Sequence, residues 1–336
     1  NNSLLNNTEL PKFSGIQAAD IESAINETIR QNEEELSALL DAEGKSEIAP
    51  DFASYIPAIE EMGDRLHKVW SPVSHLHGVL NSPELREAYN ACLPLLSRYH
   101  SKLSQNQRLF TLYKRVAEGM GSTSSPESTL VEQALLDFHL GGIDLPEAQQ
   151  TRLREIRESM SQLQASFEQN LLDAMLAWQH HTTDINTLSG LPESALSAAK
   201  QAAEAESKEG WLLSLDQPSY MAVLTYAKDP ELRQKFYKAW CTRASDQAPS
   251  PEQFDNTANM AQILTLRHEV AQLVGYNSYA DYALATRMAG SVDEVTGFLK
   301  ELAGVSMPAA KRELKELEVF AGNELAPWDI AYYSDK

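Results

Sequence analysis

The sequence has little cysteine, few basic residues and no long apolar run, and each shortage excludes a class of protein. Its two cysteines, Cys92 and Cys241, are too few for a disulfide framework and too far apart for a Cys-x-x-Cys site. Lys and Arg number 28 against 48 Asp and Glu, a net charge of −20. That balance argues against nucleic acid and against an anionic membrane surface as partners. No apolar run approaches the roughly 20 residues of a membrane span. The first fifteen residues lack the basic-then-apolar pattern of a signal peptide, so sequons at Asn1, Asn6 and Asn26 are read as chance. Glycine and proline, 15 each in 336 residues, are too scarce for a disordered or collagen-like chain. An acidic globular protein of the cytoplasm is expected, with 43% apolar residues to build one large domain or two ordinary ones.

What is present is helical periodicity. Ile21, Ile25, Ile29, Leu36, Leu39 and Leu40 hold one face of a 3.6-residue helix, and a longer stripe runs from Leu153 through Ile156, Met160, Leu163, Phe167, Leu171 and Met175 to Trp178. Pro-Glu occurs six times, at 83, 126, 146, 192, 230 and 251, and Ser82, Ser125, Asp229 and Ser250 precede four of these. The side-chain oxygen caps, proline at the first helical position loses no needed N–H, and glutamate meets the positive end of the dipole. Ser291 with Glu294, and Ser250 with Gln253, fit the capping box. Helices are predicted over 17–43, 52–80, 83–119, 127–139, 146–181, 192–207, 219–228, 230–246, 252–274, 278–288 and 292–322, with a last one from near Pro327. Pro57, Pro94 and Pro308 are placed to kink or shorten three of them. Residues 210–216, bounded by Gly210 and Pro218, form the single predicted strand. The stretch 119–125 reads as a linker, and no repeat of solenoid length is present.

Candidate chemistry is sparse. Gly44-Lys45-Ser46 follows a helix and has Leu39 where a phosphate loop needs glycine. The eight histidines, 67, 75, 77, 100, 139, 180, 181 and 268, contain no pair at i and i+4, the spacing that sets two rings on one helix face. His268-Glu269 begins like a zinc motif, but Gln272 stands where the second His belongs, so a structural role is expected. Glu33-Glu34-Glu35 reads as a solvated face. Arg243 and Asp246 are expected to form a buried ion pair joining two helices. Spacing by itself describes a large helical domain without a catalytic, substrate-binding or metal site that can be assigned to residues.

Several ordered segments carry a resemblance. Leu266-Arg267-His268-Glu269-Val270-Ala271-Gln272-Leu273-Val274-Gly275-Tyr276, then Ser278 to Tyr282 and Arg287-Met288-Ala289, is similar to the opening of the catalytic region of the M3 metallopeptidases. The closing Pro327-Trp328-Asp329-Ile330-Ala331-Tyr332-Tyr333 resembles that family's PWD-x-x-YY segment. Residues 71–76, 81–86 and 242–246 look like its bacterial oligopeptidase A branch. The resemblance implies a mainly α fold of the neurolysin and thimet oligopeptidase type, with at most a small β element near 210–216. It further implies a zinc-dependent endopeptidase that hydrolyses internal bonds of short peptides in a deep channel, using HExxH and a downstream Glu.

No position here matches that zinc motif, so no catalytic or metal residue is carried over and the substrate-binding residues stay unknown. The expected organisation is a helical N-terminal region over 1–228, forming a channel wall, and the start of the catalytic region over 229–336, cut before the zinc motif. The chain alone is expected to be zinc-free and inactive. Its expected partners are short peptides, the C-terminal catalytic half and, through an exposed apolar face, copies of itself. The segment 323–336 is expected to be poorly anchored. The alternatives are a non-catalytic helical peptide-binding module and a helical scaffold.

Overall fold

The computed structural model describes residues 2–6, 10–80, 82–121, 124–249 and 251–336, with no side-chain description at 251 and 252. The sequon at Asn1, Asn81, Ser122-Thr123 of the linker-like stretch and the cap at Ser250 lie outside the described residues. Helices dominate: α1 (Ala18–Lys45), α2 (Phe52–Val79), α3 (Pro83–Ser104), α4 (Gln107–Met120), α5 (Pro126–Leu140) and α6 (Glu147–Ala177) come first. Strand β1 (Gln179–Thr182), α7 (Glu193–Ala205), β2 (Trp211–Ser214), α8 (Gln217–Tyr226) and α9 (Pro230–Thr242) follow. The last are α10 (Pro251–Phe254), α11 (Thr257–Leu273), α12 (Tyr279–Leu284), α13 (Val292–Ala321) and α14 (Ile330–Ser334). The mainly α fold with a small β element is as expected.

The caps act as their chemistry dictates. Ser82 accepts from the Leu85 N–H, Asp229 from Glu231 and Ser291 from Glu294, while Ser125 and Ser128 complete a reciprocal capping box. The helices α2, α3 and α13 run through Pro57, Pro94 and Pro308, so none of these prolines ends a helix. Three predicted helices are instead divided or shortened by polar side chains and pairing. The 83–119 helix splits because the Asn106 carboxamide caps the N–H groups of Arg108 and Leu109 and so starts α4. The 252–274 helix splits at Asp255, which accepts from the Thr257 N–H at 2.9 Å, and at buried Asn256, whose amide side chain donates to the Phe167 carbonyl at 3.0 Å. The 146–181 helix stops at Ala177, because residues 179–182 supply the partner strand that β2 requires. The pairing is antiparallel, with Gln179 opposite Ser214 and Thr182 opposite Trp211. Gly210 makes the entry to β2 possible: its φ is +94°, and a Cβ there would lie 2.3 Å from the Thr182 carbonyl oxygen.

Internal packing divides the chain into two compact units, Asn1–Ala165 with Ile263–Gly290 and Ser166–Gln262 with Ser291–Lys336. In the first, α1, α2 and α3 enclose Ile21, Ile25, Val69, Val73, Cys92 and Leu96. The far ends of α1 and α2 join α4 and α5 around Leu40, Ile56, Leu112, Tyr113 and Val116. Buried Asn32 is fully engaged, donating to the Met62 carbonyl at 2.8 Å and to the Tyr99 hydroxyl at 3.2 Å while accepting from Arg65 at 3.1 Å. That satisfaction is what permits an amide in this core. In the second unit α7, β2, α8 and α9 surround Leu188, Leu213, Leu215, Val223 and Phe236.

Candidate functional site

The His268-Glu269 run sits on α11, and its carboxylate is already committed. His268 is exposed, and Glu269 holds Arg152 of α6 through two bonds of 2.7 and 2.9 Å. The guanidinium keeps the Glu269 carboxyl below the usual carboxylate range, ahead of a smaller opposing effect of desolvation. Gln272 donates to the carbonyls of Tyr276 and Asn277 at 3.1 and 3.0 Å and so closes the C-terminal end of the helix. Glu269 and Gln272 therefore serve the fold.

The other histidines are dispersed. His77 is buried and stacked on Tyr89 with ring centroids 4.0 Å apart, and burial, helped by Arg86, holds its pKa below the ordinary value. His180 on β1 accepts from the Lys235 ammonium at 2.9 Å, which leaves its proton on Nε2, buried and without an acceptor. His181 meets the Glu209 carbonyl at 2.7 Å, and His139 is paired with Asp144. Among the described residues, no group of three or more His, Cys, Asp or Glu could hold a metal ion. The residues present therefore do not fit a zinc ion, and no chemistry is routed through one here. Gly44-Lys45-Ser46 is the end of α1, with Ser46 as its C-cap. The Glu33–Glu35 face is exposed to partly exposed, and its carboxylates meet Lys102, Arg30 and Arg65.

The closing segment is better anchored than expected, which corrects that reading. Trp328 packs on the core of the second unit, and Asp329 accepts from Arg233 of α9 at 2.5 Å. Arg233 also donates to the Ala227 carbonyl at 2.6 Å and lies 4.4 Å over the Tyr332 ring. The pair is nearly dry, with side chains 4% and 13% exposed. The PWD-x-x-YY signature thus works as a buried electrostatic clasp, and Arg233 is its member that the sequence reading passed over. Its signal was the unexplained arginine inside an apolar helix face.

Arg243 and Asp246 do not pair, a second correction. The helix ends at Thr242, Ala244 takes a positive φ of 52°, and Asp246 turns outward to the surface. Arg243 instead bonds the Trp240 carbonyl and lies 4.0 Å over the Trp240 ring. Helix α13 is thirty residues long with none buried. Phe298, Leu299, Leu302 and Val305 stand more than half exposed along it.

A helical chain with these segments in this order defines a class. Residues 223–336 match the model of Peptidase family M3, and residues 25–150 match that of the Neurolysin/Thimet oligopeptidase N-terminal domain. The chain belongs with the M3 peptidases. Within that class its full length is similar to oligopeptidase A of Escherichia coli, 42% identical over 100% of this chain and 50% of the relative. It is 32% identical to the probable cytosolic oligopeptidase A of Arabidopsis thaliana, covering 48% of that protein, and 27% identical to the dipeptidyl carboxypeptidase of Salmonella typhimurium, again 48% of it. The chain spans about half the length of the curated relatives it matches.

Proposed function

We propose that these residues form the N-terminal part of a zinc-dependent, oligopeptidase A-like endopeptidase that hydrolyses internal bonds of short peptides in a deep channel. The observation that carries this reading is the 42% identity to oligopeptidase A along the whole chain but only half of that relative. In this reading residues 1–228 build a channel wall and 229–336 begin the catalytic region, and the polypeptide by itself is zinc-free and inactive. The commitment of Glu269 to Arg152 and of Gln272 to a helix end supports that statement, because neither side chain is left for a metal or a substrate.

The proposed partners are short peptides and the C-terminal catalytic half, and the net charge of −20 argues against nucleic acid and an anionic membrane surface. The apolar face of α13 is the surface we assign to that half, and copies of this chain associate through it when the half is absent. Among the described residues no helix is long and apolar enough to cross a membrane, and the cytoplasm is the proposed location.

The test is to read the gene past the codon for Lys336 and to assay the polypeptide described here for zinc and for cleavage of a quenched-fluorescent octapeptide. An open frame carrying HExxH and a later Glu, with neither bound zinc nor cleavage in the 336-residue chain, is expected. One zinc per chain with chelator-sensitive cleavage would overturn the assignment of the catalytic centre.

A further inference from the structure

The second unit contains a pocket of about 250 Å³ in which Arg243 is the single charged lining residue among those described. Its walls combine apolar side chains, Trp178 after α6, Leu215 after β2, Ala239 of α9 and Phe254 of α10, with the amides of Gln179 and Gln253. Among the described residues no acidic side chain lines it, in a chain that carries 48 of them.

The guanidinium there is fixed rather than free to swing. Nη1 donates to the Trp240 carbonyl, and the plane lies 4.0 Å over the Trp240 ring, which itself stacks on Tyr220 at 4.4 Å and 16°. The Nε hydrogen is buried without an acceptor, and among the described residues the group has no ion-pair partner. A cation held on an aromatic face, with no ion-pair partner among the described residues and with amide donors from Gln179 and Gln253 beside it, attracts an anion into the space before it.

We propose that this pocket binds a small carboxylate through the Nη edge of Arg243. The planar fork of a guanidinium matches a carboxylate, and one cation neutralises a monoanion whereas a phosphate dianion would stay half compensated. The volume admits the end of a peptide bearing a small apolar side chain, or a free short-chain acid, and the two are separated by experiment. The inference stands on the pocket alone and does not need the zinc-peptidase reading.

Titration calorimetry on the 336-residue chain tests it, with trialanine, trialanine amide and propionate as probes. Trialanine binds and its amide binds at least about tenfold more weakly, the loss expected when a charged hydrogen-bond acceptor is removed. Propionate binding as tightly as trialanine makes a free acid the ligand, and much weaker propionate binding makes it a peptide end. Arg243→Gln lowers the affinity for trialanine at least about tenfold. Ala177→Trp, at an exposed lining position, fills the pocket and removes binding while leaving Arg243 in place. Equal binding of acid and amide, no binding of either acid at millimolar concentration, or wild-type binding by Ala177→Trp would each overturn the proposal and leave Arg243 as a helix cap only.

Discussion

Helices α1 and α13 are 28 and 30 residues long, both amphipathic, and they meet opposite fates. The first buries Ile21, Ala24, Ile25, Thr28, Asn32, Leu36 and Leu40 against its neighbours, and the second buries nothing. Local chemistry does not favour α1, whose N-cap residue Gln17 makes no side-chain capping bond. Ser291 caps the start of α13, and Gly322, at φ 75°, closes its end in the left-handed conformation. An apolar stripe therefore specifies that a helix wants a partner, and caps suffice to shape the helix where none is present. The stability of α1 comes from packing, whereas α13 rests on caps, propensity and its few contacts with α14.

That contrast can be broken or sharpened by substitution. The largest effect is expected at Ile25, fully buried in α1: Ile25→Ala should cost about 4 kcal/mol in a urea melt, from lost burial and a cavity. Next comes the clasp of the second unit. Asp329→Ala leaves the Arg233 charge buried with only carbonyl acceptors and should cost about 3 kcal/mol, read in the same melt. A loss below about 0.5 kcal/mol would mean the clasp is ornamental. On α13, Leu302→Ser should change stability by less than about 0.5 kcal/mol yet reduce self-association in sedimentation velocity, and a cost like that of Ile25 would erase the contrast.

The smallest effect is a pH dependence. Burial holds His77, His100 and His180 below the ordinary histidine pKa, His100 and His180 with further contributions from Arg157 and Lys235. With folded values depressed, the unfolded chain binds more protons, so this contribution is complete above the ordinary value of 6.5 and is lost as pH falls through the folded values. Urea midpoints should drop between neutral and mildly acidic pH, and His77→Phe, which keeps the stack on Tyr89, should flatten part of that slope.

Much of the fold was legible because helix signals are local. Ser82, Ser125, Asp229 and Ser291 stand at helix starts as read, and the strand after Gly210 was found from its turn residues and apolar run. The breaks at Asn106 and Asn256 were missed because their side chains compete with the backbone ladder, and in the case of Asn256 the acceptor lies 89 residues away. Strand β1 was missed for a related reason: Gln-His-His-Thr has no strand pattern of its own and is extended only because β2 lies beside it.

The candidate site divides in the same way. That His268 and Glu269 are no metal site could be argued from Gln272 alone, since the ligand spacing is a local property. What Glu269 does instead, holding Arg152 across 117 residues, could not. Nor could the pairing of Arg233 with Asp329, or the failure of Arg243 to pair with Asp246. The sequence by itself determined helical class, helix starts and family, because caps, periodicity and ordered motifs act over a few residues. Only the tertiary structure decided which charges are partnered and which apolar faces are covered, because ion pairing and burial depend on segments that the chain brings together from far apart.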